Sequence, residues 1–315
     1  MDTLLPTAAY REIELPQGRV RFFDQGEGPV LVFIHGLLVN SQLWRKVIPP
    51  LLGRYRCIAP DLPLGAHSLP MQPNADQSPL GVARLVVGLL EALDLREVTL
   101  VGNDTGGAIS QLVVAHHPER IARLVLTNCD AYEEFLPLPL RWTTWGARAF
   151  GTGFVNALAR PLGTRAGQRL LLAAVSTSHY TPEVLDAYIG PVLRSPEIRR
   201  DLARIAAAIS SRDTLAAAKH FPQFARPVHL LWAKDDLFFS QRLACRLAAD
   251  FPNATLELVG GSRAFVPEDQ PAILAQRIAA WVPVESRTKN QEPRTGVGQE
   301  TLASSLDPAL SASNA

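Results

Sequence analysis

A turn of small residues between an apolar strand and a helix constrains the fold of this chain more than any other feature. The apolar run Val98–Val101 leads into Gly-Asn-Asp-Thr-Gly-Gly at 102–107, and an apolar helical stretch follows at 108–114. The glycines leave room for a tight, strained turn whose middle side chain, Asp104, projects freely into a pocket. An aspartate in such an elbow indicates attack by a carboxylate on an electrophilic carbon, which gives a covalent ester to the enzyme.

Asp104 has a second interpretation, as the capping residue of the helix that follows it. A carboxylate in that position accepts hydrogen bonds from the first free amides of a helix. The glycine spacing, together with the order of the later motifs along the chain, favours the elbow over a simple cap.

Continuous apolar runs on both sides of the elbow predict further strands of one sheet. Such runs are typical of strands that are buried on both faces of a parallel sheet, and here they alternate with helical segments. The strands are predicted at 10–17, 19–24, 30–34, 56–60, 98–101, 124–127, 228–232 and 255–259. Helices of the same part of the chain are predicted at 42–52, 79–93 and 271–281. The fold class is therefore α/β, with a mostly parallel central sheet flanked by helices.

The alternation breaks between residues 131 and 225, where the sequence is helical and has no clear strand. A helical insertion between two sheet strands predicts a lid over the site. Its helices are predicted at 138–150, 164–175, 182–193 and 195–217. The core then comprises residues 1–130 and 226–284, and the polar, aperiodic residues 285–315 are predicted to be a disordered tail.

The composition fits one large α/β domain with an inserted lid, and it argues against two classes of binding partner. The chain has 315 residues, of which 47% are apolar, and its net charge is +1. Because no basic stripe is evident, neither nucleic acid nor an anionic membrane is expected as a partner. No apolar run approaches the ~20 residues that span a bilayer. The absence of clustered metal ligands and of a phosphate-binding glycine motif predicts that no metal or cofactor is needed.

Three cysteines, Cys57, Cys129 and Cys245, lie far apart in apolar segments. This spacing predicts buried free thiols in a reducing compartment. The first residues of the chain lack the positive start and the apolar stretch of a secretory signal. A cytoplasmic location is therefore expected.

Four landmarks follow one another in a known order: His35-Gly36, Asp104 in its elbow, Asp236 after a strand, and the segment 265–271 before the last helix. With these landmarks the chain resembles the α/β-hydrolase fold superfamily from about residue 19 to residue 282. The nearest pattern is that of the aspartate-nucleophile branch, which contains haloalkane dehalogenases, fluoroacetate dehalogenases and epoxide hydrolases. The resemblance implies a helical lid over a largely apolar pocket.

The resemblance also implies an oxyanion hole made by two backbone amides, those of Leu37 and Thr105. Such donors stabilise the charge that develops on oxygen in a dry site. The side chain of His35 has two interpretations, as a residue of the substrate pocket and as a brace of its loop.

The acid and the base of the family can be assigned by position. Asp236 stands where the family has the acid that orients its histidine, and Asp130, at the end of another strand, is a rival. The family's histidine directly precedes a phenylalanine, and here Ala264 precedes Phe265. General-base catalysis contributes roughly 10²–10⁴-fold, so the resemblance implies that the hydrolytic step is impaired.

The residues around the expected pocket leave the substrate open. Haloalkane dehalogenases commonly place tryptophan and asparagine, both halide donors, where this chain has Thr105 and Leu37. Epoxide hydrolases use two lid tyrosines, for which Tyr180 and Tyr188 are candidates, and Trp142 is a candidate for an aromatic pocket wall. Tyrosines on helices more often belong to the core or the rim, and a packing role is equally open for Trp142.

Three functions therefore compete. The first is a hydrolase-family enzyme that acts through Asp104 on a small apolar molecule bearing an epoxide, a halide or an ester-like group. The second is a catalytically inactive protein that binds a small molecule on the same fold. The third is a non-hydrolytic lyase or cyclase that uses the carboxyl group of Asp104 without forming an ester.

Overall fold

Eight strands form the central sheet of the protein, as seen in a computed structural model that describes residues 3–284. The strands are β1 Tyr10–Leu15, β2 Gly18–Gln25, β3 Val30–Ile34, β4 Arg56–Pro60, β5 Val98–Asp104, β6 Ile121–Cys129, β7 Val228–Ala233 and β8 Ala254–Val259. Their order in the sheet is β1-β2-β4-β3-β5-β6-β7-β8. The first two strands are antiparallel to their neighbours, and the other six run parallel. The predicted α/β fold with a mostly parallel sheet is thus confirmed.

The middle of the sheet is buried on both faces. Every residue of β7 is buried, and β5 is buried throughout except at Asp104, its last residue. This burial explains why the strands read as continuous apolar runs in the sequence. Because β3, β5, β6 and β7 are parallel, their carboxyl ends meet at one edge of the sheet, which is where ligands bind in open α/β sheets.

The helices fall into two groups, those of the core and those that form the chain between β6 and β7. The core helices are α1 Pro79–Ala92, α2 Thr105–His116, α9 Gln241–Asp250, α10 Val266–Asp269 and α11 Pro271–Trp281. Six helices, which we call the helical insertion, separate β6 from β7: α3 Arg141–Phe150, α4 Thr152–Leu162, α5 Arg165–Val175, α6 Pro182–Arg194, α7 Pro196–Ala208 and α8 Ser211–Ala218. Residues 285–315, the predicted tail, lie outside the described residues.

Two predicted helices are corrected. The segment 42–52 contains two 3₁₀ turns, Ser41–Trp44 and Pro49–Leu51, because its paired prolines lack the amide hydrogens that a continuous helix needs. The segment 195–217 is divided into α7 and α8, since the chain is extended at Ser210 and the Ser210 hydroxyl accepts a hydrogen bond from the next helix. The helices α4 and α9 were not predicted. Cys245, on α9, is exposed, whereas Cys57 and Cys129 are buried as expected.

A buried ionic network anchors the helical insertion to the core. Arg45 of the core donates to Glu268 at the start of α10, with Nη2 and Oε2 3.0 Å apart. The hydroxyl of Tyr188, on α6, donates to Glu268 Oε1 at 2.6 Å and accepts from Arg45 Nη1 at 2.9 Å. All three residues are buried. The Tyr188 hydroxyl is thereby committed to holding α6 against the core.

A second buried carboxylate anchors α7. Asp201 is fully buried and accepts hydrogen bonds from the backbone amide of Met71 at 2.8 Å and from the amide group of Gln77 at 2.9 Å. His67 Nε2 lies 3.2 Å from the same carboxylate. The loop that follows β4 is therefore tied to the insertion through one side chain.

The network around Glu268 predicts two different stability losses. We expect Glu268→Gln to lower the free energy of unfolding by about 3–5 kcal/mol, because it removes the carboxylate that compensates a buried guanidinium. Tyr188→Phe removes a single hydroxyl, and we expect a loss of about 1 kcal/mol. Equilibrium urea unfolding measures both values. Equal, small losses in the two variants would contradict this assignment.

Candidate active site

The elbow is the strained turn that the glycine spacing predicts. β5 ends at Asp104, whose backbone has φ 55° and ψ −134°, a conformation that costs energy in any residue other than glycine. A Cβ atom on Gly106 would lie 2.2 Å from the carbonyl oxygen of Ile34, and one on Gly107 would lie 2.3 Å from Cys129 Cβ. Only glycine allows α2 to start this close to β3 and β6.

The Asp104 carboxyl group faces the loop after β3. The backbone amide of Leu37 donates to Asp104 Oδ2 at 3.1 Å. A Cβ atom on Gly36 would lie 2.0 Å from the same oxygen, so the loop reaches the carboxyl group only because residue 36 is glycine. The neighbours Asn103 and Thr105 are fully buried, whereas Asp104 keeps part of its surface accessible.

Burial sets the protonation of Asp104. It raises the pKa of this carboxyl group to about 7, the amides of Thr105 and Leu37 oppose the rise, and the charge of Asp236 adds to it. The group is therefore partly ionised at neutral pH. The two amides that oppose the rise are those that the resemblance implies for an oxyanion hole.

His35 holds two loops together beneath this site. The residue is fully buried, its Nδ1 lies 2.9 Å from the carbonyl oxygen of Gly36, and its Nε2 accepts from the amide of Leu62 at 2.8 Å. Burial lowers the pKa of His35 to about 4, so the ring is neutral. Because both ring nitrogens are engaged, His35 braces its loop and does not line the pocket, which corrects the pocket interpretation.

Asp236 is held beside the end of β6. Its Oδ2 accepts from Asn128 Nδ2 at 2.6 Å, and its Oδ1 accepts from the amide of Phe238 at 2.8 Å. Asn128 is fixed in turn, because its Oδ1 accepts from the amide of Ala233 at 2.6 Å. Burial raises the pKa of Asp236, although these hydrogen bonds oppose the rise.

Asp130, the rival acid, lies under the elbow. It is fully buried, and its Oδ2 accepts from the hydroxyl of Thr105 at 3.0 Å. Its Oδ1 has no hydrogen-bond partner among residues 3–284. Burial and the nearby charge of Asp104 raise the pKa of Asp130 well above its ordinary value.

The backbone at Ala264 is held from several sides. Ala264 is fully buried, and its carbonyl accepts from Asn103 Nδ2 at 2.7 Å. On one side the amide of Arg263 donates to Asp269 Oδ2 at 3.0 Å, and on the other the amide of Phe265 donates to the carbonyl of Val175 at 2.8 Å. The backbone around Ala264, the residue that the resemblance aligns with the family's histidine, is thus fixed by three hydrogen bonds.

None of the seven histidines makes a hydrogen bond with Asp104 or Asp236 in the described part of the chain. His67 contacts Asp201, as described above, and His229 contacts the hydroxyl of Thr255 at 2.8 Å. The two histidines at 179 and 220 are exposed. Within residues 3–284, the structure offers no substitute base in contact with either carboxyl group.

The three candidate pocket residues of the insertion differ in their surroundings. Tyr188 is committed to Glu268, while Tyr180 packs edge-to-face on it with ring centroids 6.2 Å apart. The Tyr180 hydroxyl is buried and has no hydrogen-bond partner within residues 3–284. Trp142 is 54% exposed and packs against Phe154, and its place in a pocket wall stays a prediction.

Two asparagines of the site were missed by sequence reasoning. Asn128 supports Asp236, and Asn103 supports the carbonyl of Ala264. Each lies next to the last residue of a buried strand, Asn128 in β6 and Asn103 in β5. A polar side chain in that position is a signal that could have identified both residues.

Residues 29–271 match the family model described as alpha/beta hydrolase fold. The chain belongs to the α/β-hydrolase fold family. Sequence relatives include the uncharacterized hydrolase YugF of Bacillus subtilis, 28% identical over 268 residues that cover 83% of this chain and 93% of the relative. A haloalkane dehalogenase of Mesorhizobium japonicum is 28% identical over 297 residues, which cover 86% of this chain and 90% of that enzyme.

Solved structures agree with this assignment. An α/β-hydrolase fold protein from Burkholderia ambifaria matches with a TM-score of 0.76 and 25% identity, over 89% of this chain and 98% of that one. The epoxide hydrolase CorEH matches with a TM-score of 0.73 and 20% identity, over 86% of this chain and 97% of that one, which shows the shared fold. The family model and these relatives show that the chain belongs to a family of hydrolases.

The raised pKa of Asp104 predicts how stability depends on pH. The folded-state pKa of about 7 lies above the ordinary value of 3.8, so between these values the native state keeps a proton that the unfolded state releases. The stabilisation is therefore complete below about pH 4 and is lost as the pH rises towards 7. We expect Asp104→Asn to be more stable than the wild type above pH 7 by at most about 4 kcal/mol, with no difference near pH 4. Urea unfolding across this range measures the effect, and a difference independent of pH would contradict it.

Proposed function

We propose that this protein is a hydrolase-family enzyme whose Asp104 attacks a small, mostly apolar electrophile and forms a covalent ester. The observation that carries the proposal is the hydrogen bond from the Leu37 amide to Asp104 Oδ2 in the strained elbow. One carboxylate oxygen accepts a hydrogen bond from a backbone amide, and residue 104 is the one position of β5 that is not fully buried. That arrangement suits a carboxylate nucleophile better than a helix cap, and Asp104 makes no side-chain capping bond to α2.

The reaction is a displacement at carbon. A carboxylate oxygen of Asp104 forms a bond to carbon as the carbon–oxygen bond of an epoxide, or the carbon–halogen bond of an alkyl halide, breaks. The electron pair of the broken bond leaves on the oxygen or the halide. An epoxide oxygen then needs a proton, and Tyr180 is the buried phenol whose hydroxyl is uncommitted. Burial raises the pKa of Tyr180 far above its ordinary value, so the phenol remains a proton donor.

The second half of the reaction lacks its base. Hydrolysis of the ester requires a proton to be taken from water, and the methyl group of Ala264 cannot accept one. We expect this step to be slower by roughly 10²–10⁴-fold than with a general base. The ester at Asp104 therefore accumulates.

One observation favours a second candidate, an inactive binding protein. Asp236, the acid position, is already satisfied by Asn128 and by backbone amides, and no histidine contacts it among residues 3–284. Without a histidine for Asp236 to orient, such a site binds a small molecule but does not complete a catalytic cycle.

Intact-protein mass spectrometry separates these candidates. The wild type, Asp104→Asn and Asp235→Asn are incubated with epoxides, alkyl halides and activated esters. Asp235 is a matched control because it is an exposed aspartate whose Oδ2 accepts the amide of Gly261, at 2.8 Å, away from the elbow. We expect one adduct per molecule of wild type and of Asp235→Asn, and none on Asp104→Asn.

The other outcomes are distinct. An adduct that persists in Asp104→Asn would contradict the proposal. Product without an adduct would indicate a non-hydrolytic lyase or cyclase, and neither adduct nor product would indicate the binding protein.

A base restored at residue 264 tests the same proposal through the breakdown of the ester. We expect Ala264→His to shorten the lifetime of the adduct by roughly 10²–10⁴-fold and to allow repeated turnover. Ala264→Asn is the matched control, since it adds a polar side chain that is no base. Decay of the adduct mass after removal of free substrate gives the rate. Equal lifetimes in the two folded variants would count against an ester at Asp104.

A further inference from the structure

The exposed apolar side chains of the protein are concentrated on the helical insertion. Eight large hydrophobic residues are exposed in the described part of the chain, and six of them lie between residues 138 and 170. Those six are Leu138, Trp142, Trp145, Phe150, Leu158 and Leu170. Contiguous exposed apolar surface marks a site of interaction, whereas single exposed residues are normal.

Five residues of α3, α4 and the turn before them form what we call the aromatic patch: Leu138, Trp142, Trp145, Phe154 and Leu158. Trp142 and Trp145 are three residues apart and lie on one face of α3, and Leu138 lies in the turn before that helix. The rings of Trp142 and Phe154 meet edge-to-face with centroids 5.6 Å apart. The ring of Phe154 covers Gly146, where a Cβ atom would lie 2.2 Å away. The two helices thus share one apolar surface.

The same part of the chain has a strong positive charge. Residues 135–182 contain five arginines and no aspartate or glutamate, whereas the whole chain has a net charge of only +1. The arginines are Arg141, Arg148, Arg160, Arg165 and Arg169. The expectation that an anionic membrane is no partner rested on the net charge of the whole chain and on the absence of an evident basic stripe, and it did not consider this local excess of arginine.

Few of these arginines are neutralised by a carboxylate. Arg165 pairs with Asp186 at 3.0 Å, and the charge of Arg141 acts on Glu133 and Glu134, just before this segment. Arg148 donates to backbone carbonyls. Arg160 and Arg169 are exposed and form no ion pair within residues 3–284. The positive charge around the aromatic patch is therefore available to a partner.

We propose that the aromatic patch docks on an anionic lipid surface, with its tryptophans at the level of the headgroups and the arginines against lipid phosphates. Helices with tryptophan, phenylalanine and leucine on one face and basic residues on the other lie in the plane of such an interface. Each basic residue near an anionic leaflet adds to the attraction. None of the helices in the described residues has the length and apolar character to span a bilayer, so the contact is peripheral.

This docking goes beyond the proposed function and does not depend on chemistry at Asp104. It would nevertheless bring an apolar substrate to the site. Helix α5 carries the exposed Leu170 and ends at Val175, whose carbonyl binds the amide of Phe265, next to Ala264. One short helix therefore connects the surface of the insertion with the candidate active site.

Vesicle binding by the full chain tests the proposal. Wild-type protein is sedimented with vesicles of phosphatidylcholine alone and of phosphatidylcholine mixed with phosphatidylglycerol, at low and high salt. We expect binding to the mixed vesicles only, weakened by salt. Trp142 and Trp145 are the strongly exposed tryptophans, so we expect a blue shift of tryptophan emission that the double variant Trp142→Ser/Trp145→Ser loses.

Matched variants separate the patch from general surface properties. We expect Arg160→Gln/Arg169→Gln to lower the partition coefficient by roughly thirtyfold. Arg54→Gln/Arg242→Gln removes the same charge from exposed sites outside the insertion, and Leu258→Ser removes an exposed apolar residue of β8. We expect these controls to bind as the wild type does.

Three results would overturn the proposal. They are no binding to mixed vesicles at low salt, equal binding to neutral vesicles, and equal losses in the control variants. A concentration-dependent dimer in light scattering that Trp142→Ser/Trp145→Ser abolishes would likewise overturn it, and would assign the patch to a second copy of the chain.

Discussion

The hydrogen bond from the Leu37 amide to Asp104 Oδ2 is the interaction around which the site is arranged. It requires glycine at residue 36, where any side chain would overlap the carboxyl group. It also requires the left-handed backbone of Asp104 and the close approach of Gly106 to β3. All of these requirements can be met together because β3 and β5 are paired neighbours in the sheet. A strained turn of this kind persists only where the surrounding structure determines it.

Three carboxyl groups then meet at one edge of the sheet, those of Asp104, Asp130 and Asp236. Burial raises the pKa of each one, and the hydrogen bonds that they accept come from backbone amides, an asparagine and a threonine hydroxyl. The raised pKa values favour the protonated form of these carboxyl groups, and protonation lowers the repulsion between them.

The sequence was most informative where a local pattern decides the structure. The parallel sheet follows from continuous apolar runs, and the elbow follows from three glycines within six residues. The prediction of a helix over 42–52 was wrong. It relied on the helical spacing of the segment and neglected the effect of two adjacent prolines.

Contacts between distant parts of the chain were not predictable in this way. Tyr188 and Glu268 are 80 residues apart, and nothing local to α6 indicates that the tyrosine hydroxyl binds a glutamate of α10. The same holds for Asn128 and Asp236, which are 108 residues apart. Trp142 was predicted for a pocket wall because it is aromatic, yet exposure depends on which face of α3 is covered.

The pH dependence of covalent capture tests whether the buried carboxyl group of Asp104, with its pKa of about 7, is the attacking group. The rate at which the wild type gains adduct mass should rise about tenfold per pH unit below this pKa and level off above it, with the modification on the peptide that contains Asp104. A rate that does not change with pH, or a modification on another residue, would contradict the account.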